Sequence, residues 1–327
     1  MPGQFLNYPF DEELFLHMWR EAPDPVFTTL IESGALIADD VIANLISNGS
    51  NVYSAPYYSP LSGALQNYDG QTDIVATETS AISQSGVVYG RAKAFSARDF
   101  IADFHRADPM GHIVANVAEY HNRERQKRLI GIAEGIFGIT GDTEWTKHIV
   151  NIAADIGATT IGTVAQMAMG DNASQLSLAI MHSAVAQQLK NMDLLEFLKY
   201  TSPAGVTSNL NLAQINNLRV IVTDEVPVSG NDYTTYLFGT GAFRFAAAPV
   251  EVPVEVDRDP AKNGGMDLLY TRIRETIHPN GFDFNYNSGM GVSPLDTALF
   301  GSTNYARKFV AKALPLAKLV TTVTPTP

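Results

Sequence analysis

The chain contains no cysteine, which excludes disulfide bridges, thiolate metal sites and a cysteine nucleophile. That absence fits a reducing cytoplasm. No apolar run approaches the ~18 residues that a membrane-spanning helix needs. The N-terminus MPGQFLNYPFDEE has neither a basic start nor an apolar signal core, so neither membrane insertion nor signal-peptide export is expected. Basic residues are scarce: 22 Lys and Arg stand against 34 Asp and Glu, a formal net charge of −12. This argues against a general nucleic-acid binder, because phosphate binding rests on clustered Lys and Arg. Catalytic signatures are missing as well. There is no GxxxxGK[ST], GxSxG, HExxH or EF-hand loop, and Gly239-Thr240-Gly241 lacks the third glycine and following helix of a dinucleotide site.

What the chain does have is length and apolar content, 327 residues with 45% hydrophobic, enough to bury a large core in one large or two modest domains. Its charges are unevenly spread. Residues 1–60 hold eight acids (Asp11, Glu12, Glu13, Glu21, Asp24, Glu32, Asp39 and Asp40) against the single base Arg20. Residues 91–128 hold eight bases (Arg91, Lys93, Arg98, Arg106, Arg123, Arg125, Lys127 and Arg128) against five acids. The longest regular stretch, PMGHIVANVAEYHNRERQKRLIGIAEGIF, reads as one unbroken helix over Pro109–Phe137. Asp108 supplies its N-cap, Pro109 the first helical position, where a missing N–H costs nothing, and Gly138 stands just past its end. Ile113, Val114, Val117 and Tyr120 form an apolar stripe that resumes, after a charged middle, at Leu129, Ile130, Ala133, Ile136 and Phe137. At ~1.5 Å per residue the helix is ~43 Å long, a beam more than a catalytic site.

Upstream, residues 11–20 read as a short amphipathic helix bearing Leu14, Phe15, Met18 and Trp19, stopped by Pro23 and Pro25. Residues 27–33 read as a second helical piece ending at Gly34. This acidic, Pro-broken segment is either an arm that docks elsewhere or a helical hairpin on its own domain. Residues 49–90 are rich in Gly, Ser, Thr, Tyr and Asn and hold almost no charge; within and beyond them, residues 72–79 and 87–95 read as strands flanking polar turns. An excursion of roughly 40 residues with little core of its own points to a structured loop on a partner surface. A short helix at residues 100–105 then leads into the long one.

Residues 140–200 read as helical. Asp171 and Asn172 cap a helix through Lys190, with Leu176, Ile180, Met181, Ala184, Val185 and Leu189 on its buried side, and Asp193 opens another ending near Tyr200. The hydrophobic period then changes from 3.6 to 2. Residues 219–223 form a strand, and 233–237 pair with 242–246 as a hairpin across Gly239-Thr240-Gly241. Val250, Val252, Val254 and Val256 alternate with Glu251, Pro253, Glu255 and Asp257 in a strand that Pro253 confines to an edge. Residues 266–277 form a further strand closed by a turn at His278-Pro279-Asn280-Gly281. Ser293-Pro294 starts a short helix, and residues 313–323 form a last strand. Helices first and long strands after define an α+β fold, its sheet completed late.

Candidate reactive groups are few. His112 and Glu119, seven apart, share a face of the long helix, but two ligands do not make a metal site and His121 points elsewhere. A capped or salt-bridged histidine is the simpler reading. His182 falls mid-way along an apolar helical face, as a satisfied core histidine does. Asp11, Glu12 and Glu13 diverge on a helix and read as a solvated first turn favoured by the helix dipole, not as an acid/base pair. The run from Arg123 to Arg128 reads as inter-subunit or solvent pairing ahead of nucleic-acid contact. No catalytic residue, metal ligand or cofactor is expected. A soluble hydrolase using His112, Glu119 or His182 is the rival to a structural role.

Five segments carry a family resemblance. They are Tyr120-His121-Asn122-Arg123 with Leu129-Ile130-Gly131-Ile132 and Gly135-Ile136-Phe137; Ala179-Ile180-Met181-His182-Ser183-Ala184-Val185; Val220-Ile221-Val222-Thr223-Asp224; Tyr233-Thr234-Thr235-Tyr236-Leu237-Phe238-Gly239; and Glu255-Val256-Asp257-Arg258-Asp259. In this order, over roughly residues 25–318, they resemble the major capsid proteins of tailed bacteriophages, whose fold is shared with encapsulin shells. The resemblance implies an N-terminal arm (1–49), an extended loop overlapping a neighbour (50–95), a peripheral domain with the spine helix (96–139 and 250–290) and an axial domain (140–249 and 291–327). It implies a structural, non-enzymatic subunit that assembles as pentamers and hexamers into an icosahedral or prolate shell around packaged double-stranded DNA, in the virion after assembly in the host cytoplasm. The implied partners are itself, a separate scaffolding protein (the chain starts directly in its arm), a portal and a decoration protein, with no membrane. An encapsulin-like cellular compartment is the structural alternative. Some members cross-link a lysine to a neighbour's asparagine; Lys93, the only lysine before Lys127, sits near the base of the loop, so no such link is expected. Expected inter-subunit contacts are Asp11, Glu12, Glu13, Lys93, Arg123, Arg125 and Arg128, the acidic arm of one subunit lying along the basic stretch of another.

Overall fold

Two sheets of different build share one long helix. The computed structural model describes residues 4–5, 8–9, 30–58, 64–68, 71, 73, 76, 81–99, 109–157, 159–201, 207–215 and 217–323. The first elements are the paired strands β1 (Gln4–Phe5) and β2 (Tyr8–Pro9), then β3 (Leu36–Ala38), α1 (Asp40–Ser47), β4 (Val52–Tyr58), β5 (Ala81–Val87) and β6 (Tyr89–Arg98). The long helix α2 (Pro109–Phe137) follows, then β7 (Ile149–Ile152), α3 (Thr160–Met169), β8 (Leu176–Met181), α4 (Ser183–Asn191), β9 (Glu196–Thr201), β10 (Thr207–Ile215) and β11 (Leu218–Val222). The chain continues through β12 (Val228–Ser229), β13 (Asp232–Gly239), β14 (Phe243–Ala247), β15 (Val254–Asp259), β16 (Met266–Pro279), β17 (Phe282–Phe284), α5 (Asp296–Leu299), β18 (Tyr305–Arg307) and β19 (Leu316–Thr322). The helices expected at residues 11–20 and 100–105 lie outside the described residues, as does most of the strand expected at 72–79.

The larger sheet runs β7-β19-β13-β8-β11-β10-β9, with β12 beside β13. Its last-made strand sits inside it: β19 is antiparallel to β13 and parallel to β7. β8 is covered on both faces. Leu178 and Ile180 enter the core beneath α2, whereas Ala179 and Met181 pack with Ile161 and Val164 of α3 and Val185 and Leu189 of α4. A strand buried on both sides is an unbroken apolar run, and such a run has the same composition as a buried helical face. The helix expected to be capped by Asp171 and Asn172 is therefore a short 3₁₀ turn followed by β8 and, only after His182, by α4. The helix expected from Asp193 is also corrected. That residue is left-handed, with φ 55°, and residues 196–201 are β9, recruited by antiparallel pairing with β10.

The smaller sheet is built around β16. β6 pairs along one side from Met266↔Arg98 to Glu275↔Tyr89, β15 and β14 share the other side, and β3 lies parallel to β14. β15 starts only after Pro253, which cannot donate to a ladder, and it is an edge strand. The expected hairpin of residues 233–237 and 242–246 does not form. β13 belongs to the large sheet and β14 to the small one. The chain crosses between them at Gly239-Thr240-Gly241, where Gly241 adopts φ 76° and its N–H donates to Gly34 O at 2.7 Å.

The C-terminal half of α2 is the shared core. Leu129, Ile130, Ala133, Ile136 and Phe137 pack with Ile180 of β8, Tyr236 and Phe238 of β13, Phe243 of β14, Ile277 of β16 and Trp145. On another side of the helix, Gly131, Gly135 and Gly138 make a bare strip against which residues 300–302 lie. A Cβ there would sit 2.4 Å from the Phe300 ring, 2.8 Å from Phe300 O and 2.9 Å from Ser302 Cβ respectively. The N-terminal half rests on a smaller cluster, with Val117 against Ala97, Val254 and Leu269.

Candidate assembly interfaces

The strands on either side of residues 59–80 form a two-stranded stalk. β4 and β5 pair from Val52↔Val87 to Tyr58↔Ala81. The stalk is anchored at its root: Tyr53 packs with Ile42 and Ile46 of α1 and with Val88 and Ala246, and the amide of Ser85 donates to Asp283 Oδ1 at 2.9 Å. Beyond the stalk, Leu65 and Tyr68 are fully exposed. Burying a large apolar side chain is worth about 1.5–3 kcal/mol, so these two are suited to a surface outside their own subunit.

Behind the root, a charged node joins the loop, α2, β16 and α5. Glu275 is 1% exposed and Arg128 4%. Arg125 Nε donates to Glu275 Oε2 at 2.7 Å and Arg128 Nη1 to Glu275 Oε1 at 3.2 Å. Arg128 Nε also donates to Asp296 Oδ1 at 3.0 Å, and Arg91 Nη2 donates to the same oxygen at 2.6 Å. Arg91 and Arg128 both lie over the buried Tyr89 ring, their Cζ atoms 5.1 and 4.9 Å from its centre. Ser293 Oγ accepts from the Gly90 amide at 2.9 Å. Burial alone would lower the Arg128 pKa, but Tyr89, Asp296 and Glu275 outweigh it and raise it. Burial would likewise raise that of Asp296, and the hydrogen bond from Arg91 with the charge of Arg128 holds it low instead. His121 sits beneath, its Nε2 2.9 Å from Thr271 Oγ1; burial, then Arg125 and Arg128, pull its pKa down to about 4.

Within the single chain, the guanidinium groups of Arg125 and Arg128 pair with carboxylates of the same chain, because β16 presents Glu275 at an inward position and α5 presents Asp296. Lys93 and Arg123 are exposed, as an inter-subunit role requires, and Asp11, Glu12 and Glu13 lie outside the described residues. His182 is not within a helix but caps one, its Nδ1 accepting from the Ala184 amide at 3.1 Å. His112 is exposed and held by Asn116 Nδ2, 3.1 Å from its Nδ1. Glu275, Asp296 and Tyr89 were not legible as partners of the arginines. One signal existed: Glu275 shares the period-two register of the buried Leu269 and Thr271, where a carboxylate needs a cation.

The charges of the node pair with one another and tie β6 to α2, β16 and α5. No protein-family model matches the chain. Among solved structures, it is similar to the capsid of Ralstonia phage GP4 (TM-score 0.60, 11% identity, 91% of this chain and 92% of that one). It is also similar to the capsid asymmetric unit of cyanophage Pam1 (0.55, 13%, 87% and 88%) and to the SrpI encapsulin complex of Synechococcus elongatus PCC 7942 (0.51, 10%, 94% and 91%). The fold is that of the shell-forming capsid proteins. In sequence, the chain is 30% identical over 298 residues to the major capsid protein of Bacillus phage SPP1, spanning 89% of this chain and 90% of that one. It belongs to the family of bacteriophage major capsid proteins. Its role is structural: it assembles with copies of itself into the capsid of a virion.

Proposed function

We propose that the chain forms pentamers and hexamers that close an icosahedral or prolate shell around packaged double-stranded DNA. The observation that carries this is the 30% identity, over 89% of this chain, with the SPP1 major capsid protein. In this reading, residues 1–49 are an arm and 50–95 a loop laid over a neighbour. Residues 96–139 with 250–290 form the peripheral domain, and 140–249 with 291–327 the axial domain about the five- and six-fold centres. Assembly takes place in the host cytoplasm with a separate scaffolding protein, a portal and a decoration protein. DNA is held without sequence specificity, in keeping with the net charge of −12. Inter-subunit contacts fall to Asp11, Glu12 and Glu13 of the arm and to Lys93, Arg123, Arg125 and Arg128. The fold likeness to an encapsulin supplies the alternative, a cellular compartment with protein cargo, and the sequence relative favours the phage head.

Negative-stain microscopy tests the reading, with the chain expressed alone and together with the other head proteins of its phage. Closed particles with five- and six-fold clusters are expected. Small oligomers in both cases would overturn it, shells from the chain alone would remove the separate scaffold, and native particles holding one enzyme and no DNA would establish the compartment.

A further inference from the structure

We propose that Asp283 sets the direction of the β4–β5 stalk and is thereby a positioning residue for assembly, a proposal that rests on the shell-subunit reading above. The stalk is held at three levels. At its root, Thr276 Oγ1 of β16 donates to Val87 O at 2.8 Å, and the Tyr53 ring lies across Gly86, its cross-strand partner. A Cβ on Gly86 would come within 2.3 Å of that ring, so β4 and β5 move as one piece. One step outward, Gln84 Nε2 donates to Pro279 O at 3.2 Å and the Ser85 amide to Asp283 Oδ1 at 2.9 Å. Further out, Tyr57 meets Phe309 edge to face, ring centres 4.5 Å apart. Of these contacts only the Ser85 bond ends on a charged group, and charge-assisted hydrogen bonds are roughly twice as strong as neutral ones.

Asp283 is itself fixed. It is the middle residue of β17, paired with Ala306 of β18, and its second oxygen, Oδ2, takes Lys308 Nζ at 3.0 Å. The amides of Lys308 and Phe309 both donate to Gly281 O, at 2.8 and 3.2 Å, so β17 and residues 307–309 make one bracket. Among the described residues β5 pairs with β4 and β17 with β18, and the two ribbons share no ladder. The Asp283 side chain stands in for one: a strand amide that points away from its ladder needs an acceptor, and this carboxylate supplies it from the bracket. The lever is long. Seven residues at ~3.3 Å each make the stalk ~23 Å, so a tilt of about 10° at the root displaces its far end by about 4 Å. That is the whole reach of an apolar contact, enough to lift Leu65 and Tyr68, beyond the stalk, off the surface of a neighbour.

Three variants separate the amide bond from the ion pair. Asp283→Ala removes both, Lys308→Met removes the ion pair alone, and Asp283→Asn/Lys308→Met keeps a neutral acceptor for Ser85 with no ion pair. In hydrogen exchange of the unassembled chain, residues 81–87 are expected to exchange faster in Asp283→Ala and at the parent rate in the other two. Co-expressed with the other head proteins and imaged by negative stain, Asp283→Ala is expected to give fewer shells over a wider range of diameters, and the other two to match the parent. Parent-like exchange or parent-like shells from Asp283→Ala overturns the proposal. So does either of the other variants behaving like Asp283→Ala, since the ion pair would then carry the effect. Should Asp283→Ala not fold, Ser85→Pro deletes the donor and leaves Asp283 paired with Lys308, a change that strands accept where the amide faces away from the ladder. Parent-like shells from that variant overturn the proposal as well. Failure of the unaltered chain to form shells would instead overturn the shell-subunit reading, and the exchange measurement still decides whether Asp283 holds the stalk.

Discussion

Each carboxylate of the charged node serves two cations. Glu275 divides its oxygens between Arg125 and Arg128, and one oxygen of Asp296 takes both Arg91 and Arg128. Removing a cation from buried Glu275 costs about 3–5 kcal/mol, because the charge left behind has no solvent, whereas Asp296 is half-exposed and loses less. The sequence shows the arginines but not their partners, since Arg125 and Glu275 are 150 residues apart. His121, beneath the node, makes a pH prediction possible. Folded, its pKa is about 4, whereas an unfolded histidine titrates near 6.5. Between those values the unfolded chain binds more protons, so stability falls as pH falls from about 6.5 to about 4. The difference amounts to at most ~3.5 kcal/mol for one group, and buried His278, also held near 4 by burial, acts in the same direction. Urea midpoints of the unassembled chain should therefore decline over this window, and less steeply in His121→Gln, whose amide can replace the donor to Thr271. An unchanged slope in that variant would show that His121 is not the titrating group.

Among the elements, α2 was the most legible, and the reason is local. Pro109 and Gly138 mark its ends, and its apolar stripe runs at one period, so the bounds Pro109–Phe137 need no tertiary information. β8 was illegible for the opposite reason: it is a strand only because two layers cover it. The switch at Gly239-Thr240-Gly241 has the composition of a hairpin turn, and only the pairing of β14 with β16 sends it elsewhere. The glycine strip of α2 carries a second prediction. Alanine is usually better than glycine in a helix by about 1 kcal/mol, but in Gly135→Ala the new methyl meets a backbone carbonyl 2.8 Å away, which no rotamer change can relieve. Overpacking of this kind costs about 1–3 kcal/mol, so a net loss is expected. A thermal midpoint equal to or above that of the parent chain would show that residues 300–302 shift freely.

For the whole molecule, the two kinds of arginine on α2 separate folding from assembly. Arg123→Glu changes an exposed side chain and is expected to leave the circular dichroism and melting of the unassembled chain unchanged while reducing shell yield. Arg128→Glu places a third carboxylate beside Glu275 and Asp296 and is expected to lower stability by several kcal/mol before assembly is reached. Equal melting of the two variants would mean that the node contributes nothing to the fold. The α+β class, the long helix and the late strands were legible in the sequence, as was the family. The node and the two-sheet crossing were not, because both are made by residues far apart along the chain.

The interior position of β19 sets an order of events during synthesis. β7 and β13 are both complete by residue 239, yet they are not neighbours until residues 316–322 are inserted between them. The large sheet therefore cannot close while the ribosome is still translating the strands of the small one. A chain that ends before residue 316 leaves β7 without its neighbour and the adjoining side of β13 unpaired among the described strands, so truncation of the last strand acts on the middle of the sheet and not on its rim.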